Sequence, residues 1–127
     1  LPQYYSRDKN NVYRPINEWI HKINGANPKT IKVLNEFYSK DDKNVYAAVD
    51  IIKDADPQTF RRIPETNYAR DKNNLYYYFG DVKNLGKINE KDLKVLDSNL
   101  IKNGNEVYYL GEKVNIKNPD KFEIIEN

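Results

Sequence analysis

The chain has no cysteine and no methionine, one histidine and one tryptophan among its 127 residues. Without cysteine there is no disulfide framework, no thiol nucleophile and no thiolate-bound metal. The compartment stays open, because a chain of this length can bury a core without disulfides. No apolar run approaches the roughly 20 residues that a membrane helix needs, so no transmembrane segment is expected. No Asn-x-Ser/Thr site occurs. The net charge of +2 is too weak to point to nucleic acid. The first residue is Leu1 and not Met, which raises the expectation of a processed N-terminus, with a signal peptide or lipid-anchored leader upstream.

What the chain does have is tyrosine: 11 Tyr beside 4 Phe, in a sequence only 39% apolar and 31% charged. Tyrosine pairs a large apolar body with a polar tip, which suits half-buried sheet surfaces. The tyrosines fall into four copies of one pattern. They read YSRDKNNVY from Tyr5, YSKDDKNVY from Tyr38, YARDKNNLY from Tyr68 and LIKNGNEVY from Leu100. The starts at 5, 38, 68 and 100 are spaced by 33, 30 and 32 residues. Apolar arms around an Asp/Asn-rich centre predict a β-hairpin in each copy.

A second segment repeats as well: ANPKTIKVL from Ala26, ADPQTFRRI from Ala55, INEKDLKVL from Ile88 and KNPDKFEII from Lys117. Asn27, Asp56, Asn89 and Asn118 are good N-caps, and Pro28, Pro57 and Pro119 suit the first helical position. Ala26 with Ile31, Ala55 with Phe60 and Ile88 with Leu93 occupy staple positions; Lys117 with Phe122 makes a weaker one. The pattern predicts a short N-capped helical turn and then a strand at Val33-Leu34, Ile63, Val95-Leu96 and Ile124-Ile125. Between hairpin and turn lies a variable piece. In the first unit Ile16, Trp19, Ile20 and Ile23 fit helical spacing, while the repeat favours a strand, and the repeat is preferred.

The expected fold is one mainly β repeat domain, 1–127, with units at about 1–36, 37–64, 65–97 and 98–127. Each is a hairpin followed by a capped turn, arranged as a meander, a solenoid-like stack or a small propeller-like ring. With Asp71-Lys72 at the turn and Asn73 left-handed, the register sets Tyr68 opposite Tyr76 and Ala69 opposite Leu75. The same arithmetic pairs Tyr5 with Tyr13, Tyr38 with Tyr46 and Leu100 with Tyr108.

Units of the form Tyr-x-Lys/Arg-Asp-Lys-Asn-Asn-Val-Tyr followed by Ala-Asp-Pro-x-Thr-Phe resemble the DKNYY repeat family of bacterial proteins. The resemblance is close in the first three units and looser in the fourth, where Asn103-Gly104-Asn105 stands at the centre. It implies a repeat-built fold and a bacterial source, often exported or envelope-associated. It carries over no catalytic residue.

Candidate sites follow from what the repeat leaves unexplained. Asp8-x-Asn10 and Asp71-x-Asn73 look like fragments of a calcium loop, but turn chemistry accounts for both. His21 has no identified partner and reads as a surface residue. Arg7, Lys9, Arg14, Lys22, Lys29 and Lys32 make the first unit the most basic, and read as a solvated face. No pair of carboxylates stands out, so no enzyme, metal or cofactor is expected. Tyr76-Tyr77-Tyr78-Phe79 could present one aromatic face outward, and Trp19 could anchor an interface. Tyr76, Tyr78, Trp19 and Tyr108 are therefore the candidate partner-binding residues. The expected function is a non-catalytic module of the bacterial envelope or exterior that binds a protein or a cell-surface glycan. The alternative is an inhibitor or immunity-type protein with one cognate partner.

Overall fold

A computed structural model describes residues 5–125. It contains fifteen short strands: β1 (Ser6–Arg7), β2 (Val12–Ile16), β3 (Trp19–Lys22), β4 (Lys32–Val33), β5 (Tyr38–Lys40), β6 (Val45–Ala47), β7 (Asp50–Ile51), β8 (Arg61–Arg62), β9 (Tyr68–Arg70), β10 (Asn74–Tyr78), β11 (Val82–Lys87), β12 (Leu93–Val95), β13 (Leu100–Asn103), β14 (Glu106–Tyr109) and β15 (Glu112–Val114). They form four small sheets, ordered β1-β2-β3, β4-β5-β6-β7, β8-β9-β10-β11 and β12-β13-β14-β15. The pairings are antiparallel between sequence neighbours, so each sheet is a meander. The chain gathers into two compact units, one ending at Arg61 and the other beginning at Arg62.

The mainly β expectation holds, and the variable piece of the first repeat is strand, as the repeat argued. Ile16 lies opposite Trp19 across a turn at Asn17, whose φ of 57° is one that Asn tolerates. In the third repeat the extra residues lengthen β11 and create a bulge opposite Leu75 and Tyr76, beside Gly86 at φ 100°.

The capped helical turns are present in their shortest form. Asn27 O accepts the amides of both Thr30 and Ile31, and Asp56 O those of Thr59 and Phe60, so each is one closed turn and no more. The caps themselves form: Asn27 Oδ1 accepts from Lys29 N–H at 2.9 Å, and Asn89 Oδ1 from Lys91 N–H at 3.2 Å. A helix cannot extend because the next residues belong to β4, β8 and β12, and a single turn does not repay nucleation alone. Among the described residues only Pro119–Lys121 forms a 3-10 helix, and Asn118 makes no side-chain cap bond there. The strand expected at Ile124-Ile125 is also absent.

The register is shifted by one residue from the expected one in every unit. Tyr68 lies opposite Tyr77, Ala69 opposite Tyr76 and Arg70 opposite Leu75. Tyr38 faces Ala47, Ser6 faces Tyr13, and Leu100 faces Tyr109. The cause is the turn. Asp71 N–H donates to Asn74 O at 3.1 Å, so Asp71 and Asn74 close a loop with only Lys72 and Asn73 between them.

A one-residue shift exchanges the faces of a strand. Tyr68, Leu75 and Tyr77 now share one face and pack with Ile63, Ile88, Ile101 and Tyr108 as the core of the second unit. The Tyr68 and Tyr77 rings meet with centroids 4.8 Å apart, a contact that adds about 0.5–1.5 kcal/mol beyond area burial. In the first unit Val12, Ile23, Ala26 and Tyr46 form the equivalent cluster, and Tyr38 meets Phe60 edge-on at 5.3 Å.

Candidate interaction surface

Most of the repeated polar residues are consumed in holding the hairpins. In three copies an Asp is followed by Asn three residues on and by Tyr five residues on. Asp8 Oδ1 accepts the amides of Asn10 and Asn11 at 2.8 Å, and its Oδ2 accepts from Tyr13 Oη at 2.8 Å. Asp41 Oδ1 accepts from Lys43 N–H at 2.9 Å and Asn44 N–H at 2.8 Å, and Oδ2 from Tyr46 Oη at 2.6 Å. Asp71 does the same with Asn73, Asn74 and Tyr76, at 2.8, 2.7 and 3.1 Å. One carboxylate thus closes the turn with one oxygen and clamps the return strand with the other.

In the first two copies the clamp shifts the groups it joins. The Tyr13 hydroxyl, then the two turn amides, hold Asp8 below its ordinary pKa. Burial alone would raise Asp41, but Tyr46 and the amides of Asn27, Asn44 and Lys43 outweigh it and hold that carboxyl low. Burial first, and then the bond to Asp41, push Tyr46 strongly up. The fourth copy does without the carboxylate. Asn103 Oδ1 accepts from Asn89 N–H at 2.8 Å, its Nδ2 donates to Lys87 O at 3.0 Å, and Tyr108 Oη donates to Leu85 O at 3.1 Å.

The cation before each clamp residue is also structural. Arg7 donates to Pro28 O at 2.8 Å, Lys40 to Phe60 O at 2.9 Å, Arg70 to Glu90 at 2.5 Å, and Lys102 to Asp92 at 2.6 Å. Each ties its hairpin to the segment containing a capped turn. Arg14 is buried, donates to Glu36 O at 2.8 Å and lies over the Tyr5 ring, which removes it from the basic face of the first unit. Among the described residues no three acidic or histidine side chains converge on a metal position. His21 is exposed on β3.

The candidate partner residues divide sharply. Tyr76 is 0% exposed and Tyr108 8%, so neither ring is offered to a partner. Tyr76 is inside because the shifted register places it opposite Ala69 with its hydroxyl on Asp71. Tyr108 is inside because it belongs to the core of the second unit. Tyr78, at the end of β10, is half-buried. Trp19 is 72% exposed on the edge strand β3.

Sequence reasoning missed several other exposed apolar residues. Ile20 beside Trp19 is 69% exposed. In the second unit Phe79 is 84% exposed, just past the end of β10, and Tyr109 and Leu110 stand at 51% and 43%. Their signal was positional: each is at or next to a turn of the second hairpin, beside Asn17, Gly80 or Gly111, where a strand leaves the sheet.

Short meander sheets, side-chain-closed hairpins and a period of 30 to 33 residues define a β-repeat protein. A model of the DKNYY family matches residues 5–127, and the chain belongs to that family. No curated protein and no solved structure matches the chain.

Proposed function

We propose that the chain is a non-catalytic binding module of the bacterial cell envelope or exterior, and that it engages a protein partner through the apolar tips of its second hairpins. The observation that carries this reading is the exposure of Trp19 and Phe79, at 72% and 84%, where among the other described aromatics only Tyr109 is also exposed. Large exposed apolar side chains beside polar neighbours are the usual anchors of an interface. The aliphatic companions Ile20 and Leu110 favour a protein surface over a sugar face, since glycan platforms rest on aromatic planes and polar groups.

The test compares wild type with Trp19→Ala and Phe79→Ala for binding to envelope-fraction proteins and to purified cell-wall polysaccharide. Expected is a saturable protein partner whose binding weakens at least about tenfold in one variant, the loss of a single hot-spot anchor. The melting temperature should not change. Equal binding by wild type and both variants would refute the assignment of the surface. Polysaccharide binding lost in the same variants would move the reading to a glycan module.

A further inference from the structure

β3 is an outer strand of its sheet, and all four of its side chains are exposed, Trp19 at 72% and Ile20 at 69%. Ile23 N–H donates to Val12 O at 2.9 Å, and the register of β2 with β3 continues from that pair. Alternation along an antiparallel ladder then makes Arg14 with His21 and Ile16 with Trp19 the bonded pairs. The main-chain groups of Ile20 and Lys22 point the other way, out of the sheet, and meet no partner among the described residues. Pro15, which has no N–H to offer, stands opposite Ile20, where this alternation asks for no bond. The corresponding strands of the other sheets are shorter or already engaged. β7 has two residues, Leu85 O of β11 accepts from Tyr108 Oη, and in β15 Glu112 is paired with Lys83 and Lys113 with Glu106.

We propose that the open edge of β3 pairs with β3 of a second copy of the chain, antiparallel, about a two-fold axis at Ile20. The proposal rests on the reading of Trp19 as an interface anchor and names its partner. Ile20 lies opposite the partner's Ile20, and the two exchange main-chain hydrogen bonds across the axis. Trp19 then lies opposite the partner's His21 on one face, and Lys22 beside the partner's Glu18 at the tip of the turn.

Charge complementarity selects both the occupant and the register. Outward-facing residues must meet outward-facing residues, so Ile20 and Lys22 leave three ways to align two copies of the strand. Lys22 opposite the partner's Lys22 sets like charges together, which is destabilising. Ile20 opposite the partner's Lys22 sets an apolar side chain against a cation, twice. Ile20 opposite the partner's Ile20 brings Lys22 to the partner's Glu18 and Trp19 to the partner's His21, and the two-fold axis makes each of these contacts twice. Glu18, His21 and Lys22 are all exposed and free to take part. Opposite charges and paired aromatic rings are the cross-strand neighbours that stabilise a sheet. A self-complementary edge of this kind closes at two copies, and the shortness of β3 places the contact in the weak class of interfaces.

The test uses the full chain and its single tryptophan. Sedimentation of wild type should show the mass rising from one chain to two with concentration, and Trp19 emission should shift to the blue along the same curve. Glu18→Lys and Lys22→Glu should each weaken association several-fold with an unchanged circular dichroism spectrum, because each sets like charges together twice. An equimolar mixture of the two variants should recover the wild-type affinity, since each supplies the charge that the other lacks. A single-chain mass at every concentration, or a mixture that associates no better than its parts, would overturn the proposal. In that case Trp19→Ala still reports on the surface itself. Weakened binding of an envelope protein would keep Trp19 as the anchor for a different partner, and unchanged binding in both Trp19→Ala and Phe79→Ala would remove the surface as well.

Discussion

Replacing Asp41 by Ala should destabilise the first unit far more than the same change at Asp8, although the two residues occupy one position of the repeat. Asp41 is 7% exposed and accepts four hydrogen bonds, from Lys43, Asn44, Tyr46 and the Asn27 amide. Removing it strips the turn of its side-chain closure, a loss comparable to that of an N-cap, about 1 kcal/mol. It also leaves the Tyr46 hydroxyl, on a residue 0% exposed, without its acceptor. An orphaned buried donor costs about 1–3 kcal/mol, so the sum is about 2–4 kcal/mol. For a unit of this size each kcal/mol moves the melting temperature by about 4–8 °C, so the drop should exceed about 8 °C. Asp8 is exposed, water replaces its bonds, and Asp8→Ala should cost about 1 kcal/mol or less. Both residues lie in the same compact unit and report on the same transition. Scanning calorimetry with urea unfolding at unchanged m would measure both. Equal losses in the two variants would refute the clamp as the source of stability.

Acid should weaken the fold through two of the clamp carboxylates and through Asp92. Asp8, Asp41 and Asp92 all have folded pKa values below their ordinary 3.8. The unfolded chain therefore takes up protons first, and their contribution is complete above about pH 4 and lost as pH falls through the lower folded values. Melting temperatures taken from neutral pH downward should hold steady and then fall below about pH 4. In Asp41→Asn that fall should be shallower. Gly111→Ala should be severely destabilising. A Cβ there would sit 2.2 Å from the Tyr77 ring, which is packed against Tyr68, and φ is +78°. Gly80→Ala, also left-handed at +71° but with nothing within 4 Å, should cost only the conformational term of about 1–2 kcal/mol. Urea midpoints of the two variants measure the difference, and equal midpoints would show that the Tyr77 contact carries no weight.

The repeat, the hairpins and the capped turns were legible because each rests on local chemistry repeated four times. Asn27 and Asp56 close turns wherever the chain places them. The register was not legible from turn propensity alone, because Asp, Lys and Asn suit loops of either length, and Asp71 N–H closes the shorter one on Asn74 O. A signal for it was present: Asp, Asn at +3 and Tyr at +5 recur in three copies, and the Tyr hydroxyl needs a carboxylate within reach. Missing it put Tyr76 on the wrong face. The exposure of Phe79 follows from the same count, since it falls one residue past the pairing. Which sheet a tail strand joins was not written in the pattern either. The Lys-Val-Leu ends of the first and third repeats specify an apolar strand, but the partner is set by the hairpin that follows. In the fourth repeat Ile124 and Ile125 stay out of any sheet.

The central claim is that the repeat buries Tyr46, Tyr76 and Tyr108 and leaves partner binding to residues outside the hairpin centres. Tyrosine nitration of the folded chain, mapped by peptide mass spectrometry, tests it directly. Tyr109, 51% exposed, should be modified, while Tyr46, Tyr76 and Tyr108, at 0%, 0% and 8%, should be spared until the chain is unfolded. Rapid nitration of Tyr76 or Tyr46 in the folded protein would contradict the register, the clamp and the surface assigned from them.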